Sequence, residues 1–283
     1  MAPPRRDRGP ELSQTASLRD VIARHGLAPR KSLGQHFLLD EAICARIAAA
    51  AGDLTGRHVL EVGPGPGGLT RALLARPLAS LLACELDTRA IAALAELAEP
   101  RLTVLHQDAL KLDAVAALEA PRQIVANLPY NVGTPLLIGW LRQAGAFERL
   151  TLMFQQEVAE RICAAPDTEH YGRLAVLSQW LCRCTVMLHL PPGAFFPPPR
   201  VHSAVVGLVP HAEQPPPALL AAMERLTAAA FGQRRKMLRG SLKALGGADA
   251  LLESCAIAPE RRAETLSIAE FDRLARALLE REP

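Results

Sequence analysis

His58-Val59-Leu60-Glu61-Val62-Gly63-Pro64-Gly65-Pro66-Gly67-Gly68-Leu69 runs from an apolar stretch into a turn with four glycines and on into a helical pattern. The stretch 58–61 reads as a strand and Leu69–Ala75 as a helix. Glycine allows positive φ and close backbone approach to a ligand. Strand, glycine turn and helix together form the opening unit of an open α/β sheet, which binds ligands at the carboxyl ends of its strands.

The same alternation extends outward from this unit. Upstream, Asp40 caps a helix with Ile43 and Ile47 at i, i+4, and residues 12–25 form a short helix with Leu18, Val21 and Ile22 on one side. Downstream, strands are predicted at Leu81–Glu85, Thr103–His106, Gln123–Ala126, Thr151–Phe154, Thr185–Leu190 and Ala204–Val209, with a helix at Arg89–Leu97 and helices between most of the others. The fold class is therefore α/β, with a mostly parallel seven-stranded sheet covered on both faces. Pro210–Pro217 ends in three consecutive prolines and reads as a linker. Beyond it only helical periods occur, at Leu219–Phe231, Gln233–Leu245, Asp249–Cys255 and Ile268–Glu280, which predicts a small all-α C-terminal domain over 218–283. Residues 1–27, rich in Pro and Arg at their start, read as a flexible basic extension, and 28–209 as the α/β domain.

Of 283 residues, 49% are hydrophobic and 22% charged, which suits a globular protein of about two domains. The net charge of +3 is unevenly spread, with seven Lys or Arg against three Asp or Glu in residues 1–31. That end suits either a polyanion-binding arm or a merely solvated tail. The six cysteines form no C-x-x-C pair, so Cys182 and Cys184 are expected in the core of a protein from a reducing compartment, and no metal is expected. His58, His106 and His189 lie in apolar strand stretches and read as core residues rather than ligands. The N-terminal residues lack the apolar region of a signal peptide, and no run approaches the ~20 residues of a membrane span. A soluble, cytoplasmic monomer is expected.

Chemistry concentrates at four predicted strand ends. Gly63 and Gly65 follow the first strand, and Glu85 ends the second, where its carboxylate suits the ribose hydroxyls of an adenosine cofactor. Such a pair alone also fits a dinucleotide-binding dehydrogenase. Asp108, followed by Ala109, ends the third strand and suits an adenine amine, which dinucleotide enzymes do not require. Asn127-Leu128-Pro129-Tyr130 ends the fourth. The Asn127 side-chain oxygen and the Leu128 backbone carbonyl can accept both N–H bonds of an aromatic amine. Pro129 stiffens the loop, and the Tyr130 ring stacks on the heterocycle. In the C-terminal part, Arg235, Arg239 and Lys243 recur at i, i+4, i+8, with Arg234 and Lys236 beside them, on a helix whose other side carries Leu238, Leu242 and Leu245. This stripe fits phosphate binding, and equally a solvated helix face.

Arg30–Asp40 with Gly34-Gln35-His36-Phe37-Leu38, the glycine turn, Glu85, Asp108, Asn127–Asn131, Phe195–Ser203 and Phe231–Lys236 follow one another as in the ribosomal RNA adenine dimethyltransferase family, which this chain resembles over roughly residues 28–275. It looks closest to the bacterial members that act on small-subunit ribosomal RNA. The resemblance implies a Rossmann-like class I fold with residues 28–209 as an S-adenosylmethionine-dependent methyltransferase domain and 218–283 as an RNA- and ribosome-binding domain. It implies cofactor binding by Gln35, His36, Leu38, Gly63, Gly65, Glu85, Leu86, Asp108, Ala109 and Asn127. It places Asn127, Leu128, Pro129 and Tyr130 around the target amine, Phe195 on the far face of its base, and RNA on Arg234, Arg235, Lys236, Arg239 and Lys243. His36 stands where many members have Asn. The implied reaction is N6-dimethylation of two adjacent adenosines in a hairpin near the 3′ end of 16S ribosomal RNA within an assembling small subunit. An RNA-binding assembly factor with dispensable methylation, and a large-subunit ribosomal RNA methyltransferase, are the alternatives.

Overall fold

A computed structural model describes residues 17–29 and 34–281. Two strands, β1 (Phe37–Leu38) and β8 (Phe195–Phe196), pair with each other. The other seven, β2 (His58–Val62), β3 (Ser80–Glu85), β4 (Leu102–His106), β5 (Arg122–Asn127), β6 (Arg149–Gln155), β7 (Cys182–Leu190) and β9 (Ser203–Pro210), form one sheet in the order β4-β3-β2-β5-β6-β9-β7. Strands β2 to β6 run parallel, and β9 is antiparallel to both of its neighbours. The seven-stranded, mostly parallel sheet read from the sequence is present, and the order reverses between β2 and β5. A crevice at such a reversal is where open sheets hold ligands.

Each central strand divides its side chains between two faces with the period of two that a pleated strand imposes. Val59, Leu81, Val125 and Met153 bury against the helices Glu41–Ala50 and Gly68–Leu74. Leu60, Val62, Leu82, Ile124 and Leu152 bury on the opposite side against Gly133–Leu141 and its neighbours. The Asp40 side chain accepts from the amides of Ala42 and Ile43, and so caps its helix as expected.

Strand order corrects one expectation. His58 is half-buried and bonds Ser80 at 2.8 Å, but His106 and His189 are exposed. They sit on β4 and β7, the two edge strands of the sheet, and along β7 exposed side chains alternate with partly buried ones.

The C-terminal helices Pro217–Gly232, Ala248–Ser254 and Ile268–Glu280 enclose a separate core with Leu226, Leu251, Phe271 and Leu274 at its centre. That core also takes in Tyr171, Ala175, Val176 and Leu177 from the helix Arg173–Leu181 and its approach, while Leu181 from the same helix belongs to the sheet's core. The segment before Pro217 is fastened by Gln214, which donates to the carbonyls of Leu181 and His211. The predicted helix 233–245 is not continuous. The chain turns after Gly232, Met237 forms a bridge with Arg262, and only then come a short helix Leu238–Ser241 and a 3-10 turn Leu242–Leu245. The bridge, together with a glycine at either end of the turn-to-helix segment, outweighs the apolar period. Arg235 therefore lies in a turn, Arg239 in the short helix and Lys243 in the 3-10 turn, all exposed, but not as one helical stripe.

Of the basic N-terminal extension, residues 1–16 lie outside the described part. Residues 18–24 are helical, with the Ser17 side chain accepting from the Asp20 amide. Leu18, Val21 and Leu27 are buried, the last two against Phe37, Ala90 and Ala93, so 17–29 is packed rather than loose. Arg89 fixes it further by donating to the carbonyls of Gly26 and Ala28.

Candidate active site

The carboxyl ends of β2, β3, β4 and β5 open into one cavity. Gln35, His36, Leu38, Gly63, Gly65, Glu85, Leu86, Asp108, Ala109, Asn127, Leu128, Pro129 and Tyr130 all line it. Four strand ends from different parts of the sequence thus meet at the place where the sheet order reverses.

The glycine turn is shaped by its neighbours. Gly65 has φ +54°, and a β-carbon there would sit 2.9 Å from the Phe37 ring. Gly63, at φ +68°, lies against Pro129, which a β-carbon would touch at 3.4 Å. Only glycine combines these dihedrals with this closeness. The turn therefore holds open the floor of the cavity while bracing the Asn127–Tyr130 loop.

Glu85 is buried and prearranged. Its Oε2 accepts from the Gly65 amide at 3.1 Å, and its Oε1 from the amides of Leu86 and Asp87 at 2.7 and 2.9 Å. A carboxylate has about four lone-pair positions, so capacity for a further donor remains. Asp108 accepts the Leu110 amide on Oδ1 at 3.0 Å. Asp87 caps the next helix, and the hydrogen-bonding Arg89 guanidinium holds its carboxyl below the usual carboxylate range. Burial pushes the Cys84 thiol up to about 11, so it stays neutral.

Asn127 donates from Nδ2 to the His36 backbone carbonyl at 3.1 Å. A carbonyl can only accept, which fixes the orientation of the amide and leaves Oδ1 as the acceptor available to a ligand. The Pro129 carbonyl accepts from the amides of Val132 and Gly133, both at 3.1 Å, which closes the loop into the next helix. Tyr130 is held on two sides. Its hydroxyl pairs with Ser203 at 2.6 Å, and its ring stacks on His36 with centroids 5.2 Å apart and planes at 29°. Burial raises its pKa, so the phenol is neutral. His36 in turn donates from Nδ1 to the Pro197 carbonyl at 2.8 Å.

Phe195 is not brought into the cavity. Its ring is 5% exposed and packs with Leu38, Leu69 and Val205, whereas Phe196 is 45% exposed. Neighbouring strand residues face opposite ways, so one ring of the pair must turn inward, and it is Phe195. The ring stacked on Tyr130 is His36.

Among the lining residues that the sequence reading did not assign are Glu61 and Leu110. Glu61, within the apolar run of β2, is 2% exposed, accepts from the Thr70 hydroxyl at 2.7 Å, and has its pKa pushed up to about 8 by burial. A lone acid inside an apolar strand was the available signal. Leu110 lines the cavity yet is half-exposed, as is Leu86. Each follows shortly after a carboxylate at a strand end. Among the described residues no group of three or more His, Cys, Asp or Glu is arranged to hold a metal, and no helix is long and apolar enough to cross a membrane.

A family model described as Ribosomal RNA adenine dimethylase matches residues 26–279. The chain is 67% identical over 262 residues to the Ribosomal RNA small subunit methyltransferase A of Gluconobacter oxydans (strain 621H), covering 92% of this chain and 86% of that protein. It is similar to the crystal structure of a dimethyladenosine transferase from Plasmodium falciparum, at 25% identity and a TM-score of 0.71 over 84% of this chain and 96% of that one. It is also similar to the 23S rRNA methyltransferase ErmE, at 27% identity and a TM-score of 0.66 over 86% of this chain and 99% of that one. A cavity lined by an oriented amide acceptor, on a sheet of this order, and a match over nearly the whole described chain lead to one assignment: the chain belongs to the ribosomal RNA adenine dimethylase family.

Proposed function

We propose that the protein dimethylates the N6 amines of two adjacent adenosines in a hairpin near the 3′ end of 16S ribosomal RNA, with S-adenosylmethionine as donor, during assembly of the small ribosomal subunit. The observation that carries the reading is the Asn127 amide, anchored through nitrogen on the His36 carbonyl so that oxygen is left for an incoming amine.

The cavity fits the donor. Gly63 and Gly65 supply a floor that a β-carbon would fill, Glu85 keeps acceptor capacity for ribose hydroxyls, and Asp108 for an adenine amine. Leu86 and Leu110 offer apolar surface to a planar ring. When bound, S-adenosylmethionine supplies a methyl group activated by a sulfonium.

The residues of the loop act on the other reactant. An aromatic amine is a weak nucleophile because its lone pair is delocalised into the ring. Acceptance of its two N–H bonds by Asn127 Oδ1 and the Leu128 carbonyl favours a pyramidal nitrogen and localises that pair. Pro129 and the hydrogen bonds to its carbonyl keep the two acceptors fixed. Tyr130 offers the base a ring already immobilised by Ser203 and His36. Alignment and preorganised dipoles then account for most of the acceleration. No strong base is required, since the methylated ammonium is acidic enough to lose its proton to solvent. The target base must leave its stack to reach this site.

RNA affinity is assigned to the exposed Arg234, Arg235, Lys236, Arg239 and Lys243. Arg234 is engaged by Glu264 and the Glu169 carbonyl, and Arg239 lies 4.0 Å from Glu260. Arg235, Lys236 and Lys243 have no ion pair among the described residues, which leaves their charge for phosphate. The reading further takes the protein to act as a cytoplasmic monomer.

Incubation with S-adenosylmethionine and unmethylated small ribosomal particles, followed by RNA digestion and mass spectrometry, tests the proposal beside Asn127→Ala. Dimethyladenosine made only by the intact protein supports it. Tight particle and cofactor binding without dimethyladenosine would move the assignment to an assembly factor or to another RNA.

A further inference from the structure

The end of β8 and the loop from it to β9 present Phe196, Arg200, Val201 and His202 to solvent, with Phe196 and Val201 each 45% exposed. An exposed phenylalanine has a cost in water that burial elsewhere in the fold avoids; its immediate neighbour Phe195 is packed in the core. The loop is not a loose excursion. At its start, Phe196 stands opposite Phe37 in the β1–β8 pair, and the Pro197 carbonyl accepts from the His36 ring. At its end, Ser203 holds the Tyr130 hydroxyl. The partners at the two anchors, His36 and Tyr130, both line the cavity, so the loop is positioned by groups that the proposed reaction sets around the target base. Arg200 makes no ion pair among the described residues, which leaves a cation near the exposed ring in sequence.

We propose that Phe196 is a stacking platform for the base next to the one being methylated, with Arg200 meeting the backbone phosphate of that same strand. The inference rests on the proposed RNA reaction and adds a residue to it. A base leaving its stack strips one face from its neighbour, and an aromatic ring at the rim replaces that lost stacking. With two adjacent adenosines as substrates, the neighbour on the platform's side of the strand is itself a target base in one of the two transfers. Every base has a π-face, so the contact tolerates sequence while positioning the strand.

The test is a double-mutant cycle between protein and RNA. Small particles are reconstituted with 16S RNA that is intact or carries an abasic nucleotide at one or the other of the two target positions, and methylation of each remaining adenosine is followed as kcat/KM. With intact RNA, Phe196→Ala is expected to lower kcat/KM about ten-fold, and Phe196→Trp to retain it. For at least one of the two abasic RNAs, Phe196→Ala is expected to cost almost nothing further. Cofactor affinity, measured by calorimetry, stays unchanged in both variants and shows that the fold and cavity are intact. An equal loss on intact and on both abasic RNAs, or no loss on any, overturns the platform; the former points to a contact with ribosomal protein instead. If the unmodified protein makes no dimethyladenosine on intact particles, the proposed function fails and takes this inference with it. If it does and Phe196 has no base-dependent effect, only the inference fails.

Discussion

The Asn127 side chain reaches across 91 positions of sequence to the His36 backbone carbonyl, at 3.1 Å, and that one hydrogen bond decides which end of its amide can meet a substrate. Asp at this position keeps the size but puts an acceptor against an acceptor. Both Asn127→Asp and Asn127→Ala are expected to lower kcat by about 10²–10³-fold, the usual cost of losing a preorganised group in the transition state. Particle binding should change little. Single-turnover methylation beside a filter-binding measurement separates the two quantities, and a variant that lost only affinity would refute the assigned role.

Gly65→Ala places a methyl group 2.9 Å from the Phe37 ring on a backbone at φ +54°. The left-handed conformation alone costs about 1–2 kcal/mol for a residue with a side chain. A cofactor Kd raised at least about ten-fold, with a lowered melting temperature, is the expected outcome in calorimetry and thermal unfolding. Unchanged affinity would mean that the turn does not shape the cofactor site.

The buried Glu61 links stability to pH. Its carboxyl is pushed from the ordinary 4.5 to about 8, chiefly by desolvation. Between those values the native state keeps a proton that the unfolded chain has released, so stability declines as pH rises across that interval and levels off above it. Cofactor-free protein should therefore melt progressively lower from pH 5 towards pH 8. Glu61→Gln, which keeps a hydrogen-bonding partner for Thr70 without a titration, should flatten that decline. A parallel decline in the variant would locate the dependence elsewhere.

Salt dependence tests the basic surface. Each phosphate contact contributes about 0.7–0.9 to the slope of log K against log salt. Replacing Arg235, Lys236 and Lys243 together by Ala should reduce the slope for RNA binding by about 2. Replacing Arg234 and Arg239, already engaged by acidic partners, should reduce it less. Equal slopes for the two variants would remove the distinction drawn between them.

What the sequence made legible was local. Strand β2, its glycine turn and the carboxylates at 85 and 108 could be read because period, turn chemistry and strand ends are written within a few residues of each other. The cap at Asp40 and the final helix Ile268–Glu280 were legible for the same reason. What escaped depends on partners distant in sequence. The helix expected at 233–245 is interrupted where Met237 meets Arg262. His106 and His189 are exposed because of where β4 and β7 fall in the sheet order, which no local pattern encodes. Between Phe195 and Phe196 the choice of the inward ring is set by pairing with Phe37 and Leu38. His36 beside Tyr130 and the anchoring of Asn127 were likewise invisible until two distant segments met.

The helix Arg173–Leu181 gives Ala175, Val176 and Leu177 to the C-terminal core and Leu181 to the core of the sheet. Tyr171 just before it donates its hydroxyl to the Leu266 carbonyl, and Trp180 within it donates to Asp272. A wall shared in this way ties the methylating half and the basic half into one thermodynamic unit. Neither can loosen without exposing part of the other, so on the proposed function the distance from the basic surface to Asn127 behaves as a rigid ruler rather than a tether. On that proposal a target is selected by whether its shape spans that fixed length.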